Sequence, residues 1–281
     1  MRTLTAISEM RAECRTARQG GKRLGFVPTM GALHEGHLSL VRAAREKCDV
    51  VAASVFVNPK QFGPNEDFAK YPRDLERDSK LLAHEGVALL FAPTAEEMYP
   101  AGAETVVYVE GLSERLCGRS RPRHFRGVTT VVAKLFNIVE PDAAFFGQKD
   151  AAQLAIIRRM ARDLNIPVEI VGCPIVREPD GLAMSSRNAY LSPAERPHAL
   201  ALSRALRQME ENFAAGERDA NKLIAAGKAV LAQQPVVKLD YLEIVDPATL
   251  EPVQDASGAL VAIAAFVGNT RLIDNAILTA K

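Results

Sequence analysis

The sequence predicts a doubly wound α/β domain built on a parallel sheet, followed by a smaller α+β domain. Three observations carry that expectation. Over the first 175 or so residues, continuous apolar runs alternate with helix-like stretches, the pattern of parallel strands covered on both faces. Beyond about residue 190 the order changes to two helices and then three strands. The chain has 281 residues, enough for one large domain or two modest ones, each with its own core.

The elements follow in order. RLGFVPT (23–29) is an apolar strand bounded by glycine and proline. HLSLVRAAREKC (37–48) has apolar residues at helical spacing, and DVVAASVFVNP (49–59) is a β-branched run ending in a turn. RDLERDSKLLAHEG (73–86) is a helix stopped by Gly86, and VALLFAPT (87–94) is another buried strand. GVTTVVAKLFNIVEP (127–141) and DAAQLAIIRRMARDLN (150–165) are helical, with the strand DAAFFG (142–147) between them. PVEIVGCPIV (167–176) closes a Rossmann-like series over residues 1–176. Residues 177–281 form the second, lid-like domain. SPAERPHALALSRALRQMEENFAAG (192–216) opens with Ser-Pro and closes with Gly, and DANKLIAAGKAVLAQQ (219–234) is a second helix. VKLDYLEIVD (237–246), ALVAIAAFVG (259–268) and TRLIDNAIL (270–278) are strands, of which the first and last alternate and the middle one is apolar throughout.

Lys plus Arg number 35 and Asp plus Glu 34, so the net charge of +1 gives no overall pull toward nucleic acid or an anionic membrane. The four cysteines, Cys14, Cys48, Cys117 and Cys173, are scattered without metal-like spacing and read as reduced thiols of a cytoplasmic protein. The amino-terminal residues lack the apolar stretch of a signal peptide, and the longest apolar runs are too short to span a bilayer.

The stretch FVPTMGALHEGHLSLVRAA (26–44) places His34 and His37 where a strand turns into a helix, with Gly31 and Gly36 around them. In open parallel sheets ligands bind at the carboxyl ends of strands, and the following helix offers unpaired N–H groups and its positive dipole end to an anion. Glycines let backbone and ligand approach closely, and imidazole N–H groups at i and i+3 project from one face. The residues alone leave three readings open: a phosphate site, a metal site lacking its further ligands, and an ordinary cap with a surface histidine.

HEGH after a strand is similar to the HIGH motif of the nucleotidylyltransferase superfamily. The longer PTMGALHEGHLSLV resembles, nearly letter for letter, the signature of the pantothenate synthetase (pantoate–β-alanine ligase) family. VFVNPKQF (55–62), YPRDLERD (71–78), HFRGVTTVVAKLFNIV (124–139), FFGQKD (145–150) and REPDGLAMSSRNAYLS (177–192) extend the resemblance in order. It implies a ligase that joins pantoate to β-alanine through a pantoyl-adenylate, cleaving ATP to AMP and pyrophosphate, usually as a homodimer.

The same resemblance distributes roles. His37 is the principal catalytic residue, a proton donor, with His34 and Lys149 beside it. ATP is bound by Met30, Gly31, His34, Gly36, His37, Gly147, Gln148, Lys149, Asp150, Val176, Met184, Ser185, Ser186 and Arg187. The substrates pantoate and β-alanine meet Asn58, Gln61 and Gln153. Donors and cations aimed at the charge growing on phosphate are the effective catalyst for such a reaction. Arg187 in MSSRN offers a planar fork, and Asn58 and Gln61 offer amides that both donate and accept. Ala151 and Ala152 depart from the family, which more often has an aromatic and a glutamine there. Mg²⁺ is the expected cofactor of the ATP chemistry, with Asp78 as a candidate contact or simply an exposed helical carboxylate. Asp180-Gly181 is a turn signal, so ATP is expected to order residues 181–188 and draw the second domain toward the HEGH helix. Two rivals remain: a nucleotidyltransferase acting on a phosphorylated acceptor, and a non-catalytic nucleotide-binding module.

Overall fold

A computed structural model describes residues 1–64 and 66–279. The chain divides into two compact units. One comprises Met1–Ser113, Arg121–Gly147 and Ile156–Cys173; the other comprises Glu114–Ser120, Gln148–Ala155 and Pro174–Lys281. The domain boundary expected at 176/177 is a single cut, whereas the compact units are discontinuous: the last break falls at 173/174, and Glu114–Ser120 and Gln148–Ala155 belong to the second unit.

The elements run β1 (Arg2–Leu4), α1 (Ile7–Gln19), β2 (Leu24–Thr29), α2 (Glu35–Lys47), β3 (Val50–Val55), α3 (Leu75–His84), β4 (Leu89–Phe91) and α4 (Ala95–Met98). Then come α5 (Cys117–Ser120), α6 (His124–Val139), β5 (Ala143–Gly147), α7 (Ala151–Asp163) and β6 (Glu169–Cys173). The last part holds α8 (Arg196–Ala199), α9 (Ala201–Ala214), α10 (Ala220–Ala232), β7 (Val237–Val245), β8 (Leu260–Val267) and β9 (Thr270–Ile277).

The first unit is built on a six-stranded sheet of order β1-β4-β3-β2-β5-β6 with every pair parallel. From β2 the chain winds outward through β3 and β4, then returns to place β5 on the other side of β2. That reversal makes the carboxyl ends of β2 and β5 the switch point, where such sheets bind ligands. Phe26, Val27, Ala52, Ala53, Ala144 and Phe145 are fully buried, which explains the uninterrupted apolar runs.

β1 and α1 have no counterpart among the sequence-drawn elements. Only Met10 and Cys14 of α1 are fully covered, so its apolar signal is sparse. The helix drawn from Gly127 begins earlier, at His124, because that glycine sits inside the helix for packing reasons and does not start it.

In the second unit, β7, β8 and β9 form an antiparallel meander. α9 contributes Leu202, Ala205, Leu206 and Met209 to a core that also holds Val261 and Ile263 of β8. Six of the first seven residues of β8 are buried, as its unalternated composition requires. The helix drawn over 192–216 is broken in two at Leu200, with Pro197 in the short first piece.

Candidate active site

The chain leaves β2 through a tight loop into α2. Gly31 has φ +80°, and a Cβ there would lie 2.9 Å from Asp78 Oδ2 and 3.0 Å from Val55 Cγ1. The next residue, Ala32, also has a positive φ, of 50°. A non-glycine residue in this region costs about 1–2 kcal/mol, so something must hold the loop. That something is Asp78 of α3, whose two oxygens accept from the Ala32 and Leu33 N–H groups at 2.8 and 2.9 Å. Asp78 is fully buried. Burial pushes its carboxyl above the usual range, and the two amide hydrogen bonds pull it partly back. The expectation of an exposed helical aspartate is therefore corrected. Its oxygens are occupied by backbone, and among the described residues no group of three or more His, Cys, Asp or Glu can hold a metal.

His34 is the N-cap of α2. Its Nδ1 accepts from Gly36 N–H at 3.2 Å, and His37 Nδ1 accepts from His34 N–H at 3.3 Å. The rings lie with centroids 4.1 Å apart, tilted by 40° to each other. With each Nδ1 an acceptor, the single proton of each neutral ring resides on Nε2. Capping and donation are thus compatible: one nitrogen finishes the helix and the other carries an N–H. Met30 and Gly36 belong to the same loop.

The loop after β3 faces the same Met30. Gln61 Nε2 donates to Met30 Sδ at 3.0 Å. Asn58 is 1% exposed and has four partners in the first unit. Its Nδ2 donates to Gln61 Oε1 and Gly127 C=O, both at 3.1 Å, while its Oδ1 accepts from Lys60 N–H at 3.2 Å and Tyr99 OH at 2.9 Å. These bonds tie Asn58 directly to Gln61, the neighbouring residue also expected to meet substrate. α6 closes on this loop so tightly that a Cβ on Gly127 would fall 2.2 Å from the Lys60 carbonyl oxygen. From the first turn of α6, His124 Nδ1 lies 2.9 Å from the Gln61 carbonyl oxygen, and Arg121 lies 3.1 Å from its Nε2. A guanidinium only donates, so the proton of the neutral imidazole is on Nδ1 and donates to Gln61. Glu66 holds Arg121 through both oxygens, at 2.8 and 2.5 Å.

Gly147 ends β5, and the chain enters the turn Gln148–Asp150, which belongs to the second unit. Asn275 of β9 is 3% exposed, and its Nδ2 donates to the carbonyls of Gln148 and Lys149, each at 2.9 Å. Lys149 Nζ lies 3.7 Å from Asp150 Oδ2. Gln153 sits in the first turn of α7, after the buried Ala151 and Ala152. Asp274, also buried, pairs bidentately with Arg177 at 2.6 and 3.0 Å. From Arg177 a short hairpin turns at Gly181 (φ +95°), and Met184 N–H donates to Val176 C=O at 3.0 Å. Ser185 then caps the 3₁₀ turn Ser186–Tyr190 by accepting from Arg187 N–H at 3.3 Å.

Met30, Gly31, His34, Gly36, His37, Asn58, Gln61 and Gly147 belong to the first unit. Gln148, Lys149, Asp150, Gln153, Val176, Met184, Ser185, Ser186 and Arg187 belong to the second. Sequence reasoning missed Tyr99, His124, Asp274 and Asn275 as supports. The one available signal was the Asp-Asn pair set in the middle of an otherwise alternating strand. Cys14, Cys48 and Cys173 offer no ready nucleophile: burial pushes the Cys14 thiol up to about 12 and raises Cys48 and Cys173 as well.

A family model described as pantoate-beta-alanine ligase matches residues 2–277. A pantothenate synthetase of Acidobacterium capsulatum is 62% identical over 99% of this chain and 97% of its own. One from Koribacter versatilis is 60% identical over 100% and 97%. Among solved structures, a pantothenate synthetase from Thermus thermophilus superposes with a TM-score of 0.94 at 51% identity, covering 99% of this chain and 100% of that one. A pantoate-beta-alanine ligase from Francisella tularensis, complexed with beta-gamma ATP and beta-alanine, gives 0.82 at 33% identity, covering 99% and 97%.

Proposed function

The chain belongs to the pantoate–β-alanine ligase family, and from that premise we propose how its residues divide the reaction. It is an ATP-dependent ligase that condenses pantoate with β-alanine. The proposed course has two steps. A pantoate carboxylate oxygen attacks the α-phosphorus of ATP, the bond to the β-phosphate oxygen breaks, and pyrophosphate leaves with the electron pair. The β-alanine amine then attacks the acyl carbon of the adenylate, AMP leaves, and the amine loses a proton.

The observation that carries the assignment of roles is the histidine pair at the start of α2. With both Nδ1 atoms capping, the Nε2–H groups of His34 and His37 are preset donors to phosphate oxygens, at a helix end that already favours anions. Preset donors need no reorganisation as charge develops, which is why one is worth about 3 kcal/mol of barrier. Lys149, Ser185, Ser186 and Arg187 are assigned to the phosphates as well, by their place in the motifs. Met30, Gly31, Gly36, Gly147, Gln148, Asp150, Val176 and Met184 are assigned to the nucleotide on the same ground. Gln61 and Gln153 are assigned to pantoate. Mg²⁺ belongs to the proposal as the counter-ion of ATP. Because Asp78 is taken up by backbone amides, no protein ligand is assigned to it. A homodimer in the cytoplasm completes the reading, supported by the family resemblance and by four unpaired thiols. No helix among the described residues is long and apolar enough to cross a membrane.

The test is isotope exchange between pyrophosphate and ATP. Exchange with pantoate alone, and AMP release only when β-alanine is added, is the expected result. Exchange that requires β-alanine overturns the adenylate.

A further inference from the structure

We propose that Asn58 and Tyr99 set the polarity of Gln61, so that this side chain meets the substrate acid with N–H donors and not with its carbonyl oxygen. The proposal rests on the reading that Gln61 faces pantoate, and it concerns which end of the amide does so.

The orientation follows from two groups whose character is fixed. A backbone N–H only donates and a backbone C=O only accepts. Lys60 N–H lies on one end of the Asn58 amide, 3.2 Å from it, so that end is Oδ1. The Gly127 carbonyl lies on the other, at 3.1 Å, so that end is Nδ2. Tyr99 OH reinforces the assignment by donating to Oδ1 at 2.9 Å. The Nδ2 group has one hydrogen left, and it points at Gln61 over 3.1 Å. An NH₂ group cannot accept, so the Gln61 atom it meets is Oε1. Nε2 is thereby turned to the opposite side, where one hydrogen rests on the Met30 sulfur at 3.0 Å. A thioether is a weak acceptor, easily exchanged for a carboxylate or hydroxyl oxygen.

Burial makes the setting firm. Asn58 and Gln61 are 1% and 8% exposed, so flipping either amide leaves buried donors facing donors. Gly127 is essential to the arrangement, because any side chain there would drive the Lys60–Gln61 backbone away. Tyr99, half-buried, is held in turn by the Lys60 ammonium, which sits 4.4 Å over its ring. The selectivity that results is for a substrate offering acceptor oxygens at this point, and against one offering a donor.

Asn58→Asp is the decisive variant. The aspartate still accepts from Lys60 and Tyr99, but it offers Gln61 an acceptor, so Gln61 turns its Nε2 inward and presents Oε1. The expected result, read by pyrophosphate exchange, is a rise of about tenfold or more in KM for pantoate, as the loss of a hydrogen bond to a charged group predicts. KM for ATP should stay within about twofold. In a Gln61→Ala background the same substitution should no longer change KM for pantoate, since Asn58 acts through Gln61. If Asn58→Asp fails to fold, Tyr99→Phe takes its place. It removes one of the two donors to Oδ1, and it should raise KM for pantoate a few-fold in the wild-type background and not in Gln61→Ala. Equal rises in both substrates' KM, or an effect undiminished without Gln61, overturn the proposal and leave a plain packing role. Exchange by the native enzyme that does not need pantoate takes down the assigned reaction together with this inference. Pantoate-dependent exchange with no pantoate-specific effect of the variants takes down this inference alone.

Discussion

The HEGH loop of the first unit and the Lys149 turn of the second solve one problem with opposite polarity. Each is a turn whose backbone is braced by a buried side chain from another element. In the HEGH loop the backbone turns N–H groups toward its brace, and the brace is an acceptor, the Asp78 carboxylate on Ala32 and Leu33. In the Lys149 turn the backbone turns carbonyls toward its brace, and the brace is a donor, Asn275 Nδ2 on residues 148 and 149. The difference teaches something about anion sites. N–H groups can face a phosphate, so a charged brace takes only those two of the HEGH loop and the N-terminus of α2 lies beyond it. Carbonyls facing a phosphate would repel it, and at Lys149 two of them are turned onto Asn275 instead, which suits the proposed assignment of the lysine to phosphate.

Removing the groups assigned to phosphate gives the largest expected effects. His37→Ala should lower kcat/KM about a hundredfold or more, equivalent to about 2.7 kcal/mol of barrier, with the fold kept because His34 still caps α2. Lys149→Ala should weaken pyrophosphate–ATP exchange to a comparable degree. Turnover near the native value in His37→Ala would reduce that residue to a cap, and the comparison would then hold on the Lys149 side only.

Reversing the braces comes next. Asp78→Asn sets an NH₂ against one backbone N–H, and Asn275→Asp sets a carboxylate against two carbonyls. Each should cost about 1–3 kcal/mol of stability and about tenfold in kcat/KM, although neither residue is assigned a substrate contact. Thermal melts and steady-state kinetics on the two variants check this. If Asp78→Asn leaves both unchanged, the positive-φ loop of Gly31 and Ala32 is held by something other than Asp78.

The loops that carry HEGH, FFGQKD and MSSRN were legible because their residue types, spacing and place after strands are local. Their braces were not. Asp78 reads as one charge on an amphipathic helix, and only the approach of α3 to a loop 45 residues earlier gives it a task. Gly127 reads as a helix start, whereas its lack of a side chain serves Lys60, far away in sequence. Tyr99 and His124 sit in segments whose pattern reports nothing of the Asn58 and Gln61 they touch. α1 escaped notice because two covered side chains make a faint period. The parallel sheet was plain because burial on both faces writes itself into every strand.

The two braces also differ in that one titrates. Burial raises the Asp78 carboxyl in the folded state, so the native chain binds this proton more readily than the unfolded chain does. The stability contributed is then fully present below the unfolded value of about 3.9 and is lost as pH rises through the higher folded value. Asn275 carries no such dependence. The stability difference between the native protein and Asp78→Asn should therefore shift toward the variant as pH rises through that window. The difference for Asn275→Ala should stay flat there. Denaturant melts across pH 3–7 check it, and parallel curves for the two variants would show that the amide hydrogen bonds to Asp78 offset its burial entirely.

The smallest effect concerns Arg187. Residues 176–184 form a hairpin closed by Met184 N–H on Val176 C=O at 3.0 Å and Glu178 N–H on Leu182 C=O at 2.8 Å, so those amides are protected without any ligand. In the residues that follow, Arg187 N–H donates to Ser185 Oγ at 3.3 Å. Were ATP to order 181–188 as a whole, the hairpin amides would have to gain as much as the MSSRN amides. The bonds already present argue that the gain is concentrated at 185–187, where the phosphate-binding hydroxyls and guanidinium are assigned. Hydrogen exchange with an ATP analogue should slow about tenfold at those amides and little at 177–184. Arg187→Lys should forfeit most of the gain, because an ammonium cannot replace a planar two-pronged donor, while leaving the hairpin's own protection unchanged. Equal protection with and without the analogue would make MSSRN a fixed wall, preset like the HEGH loop, and the lid reading of the second unit would fall.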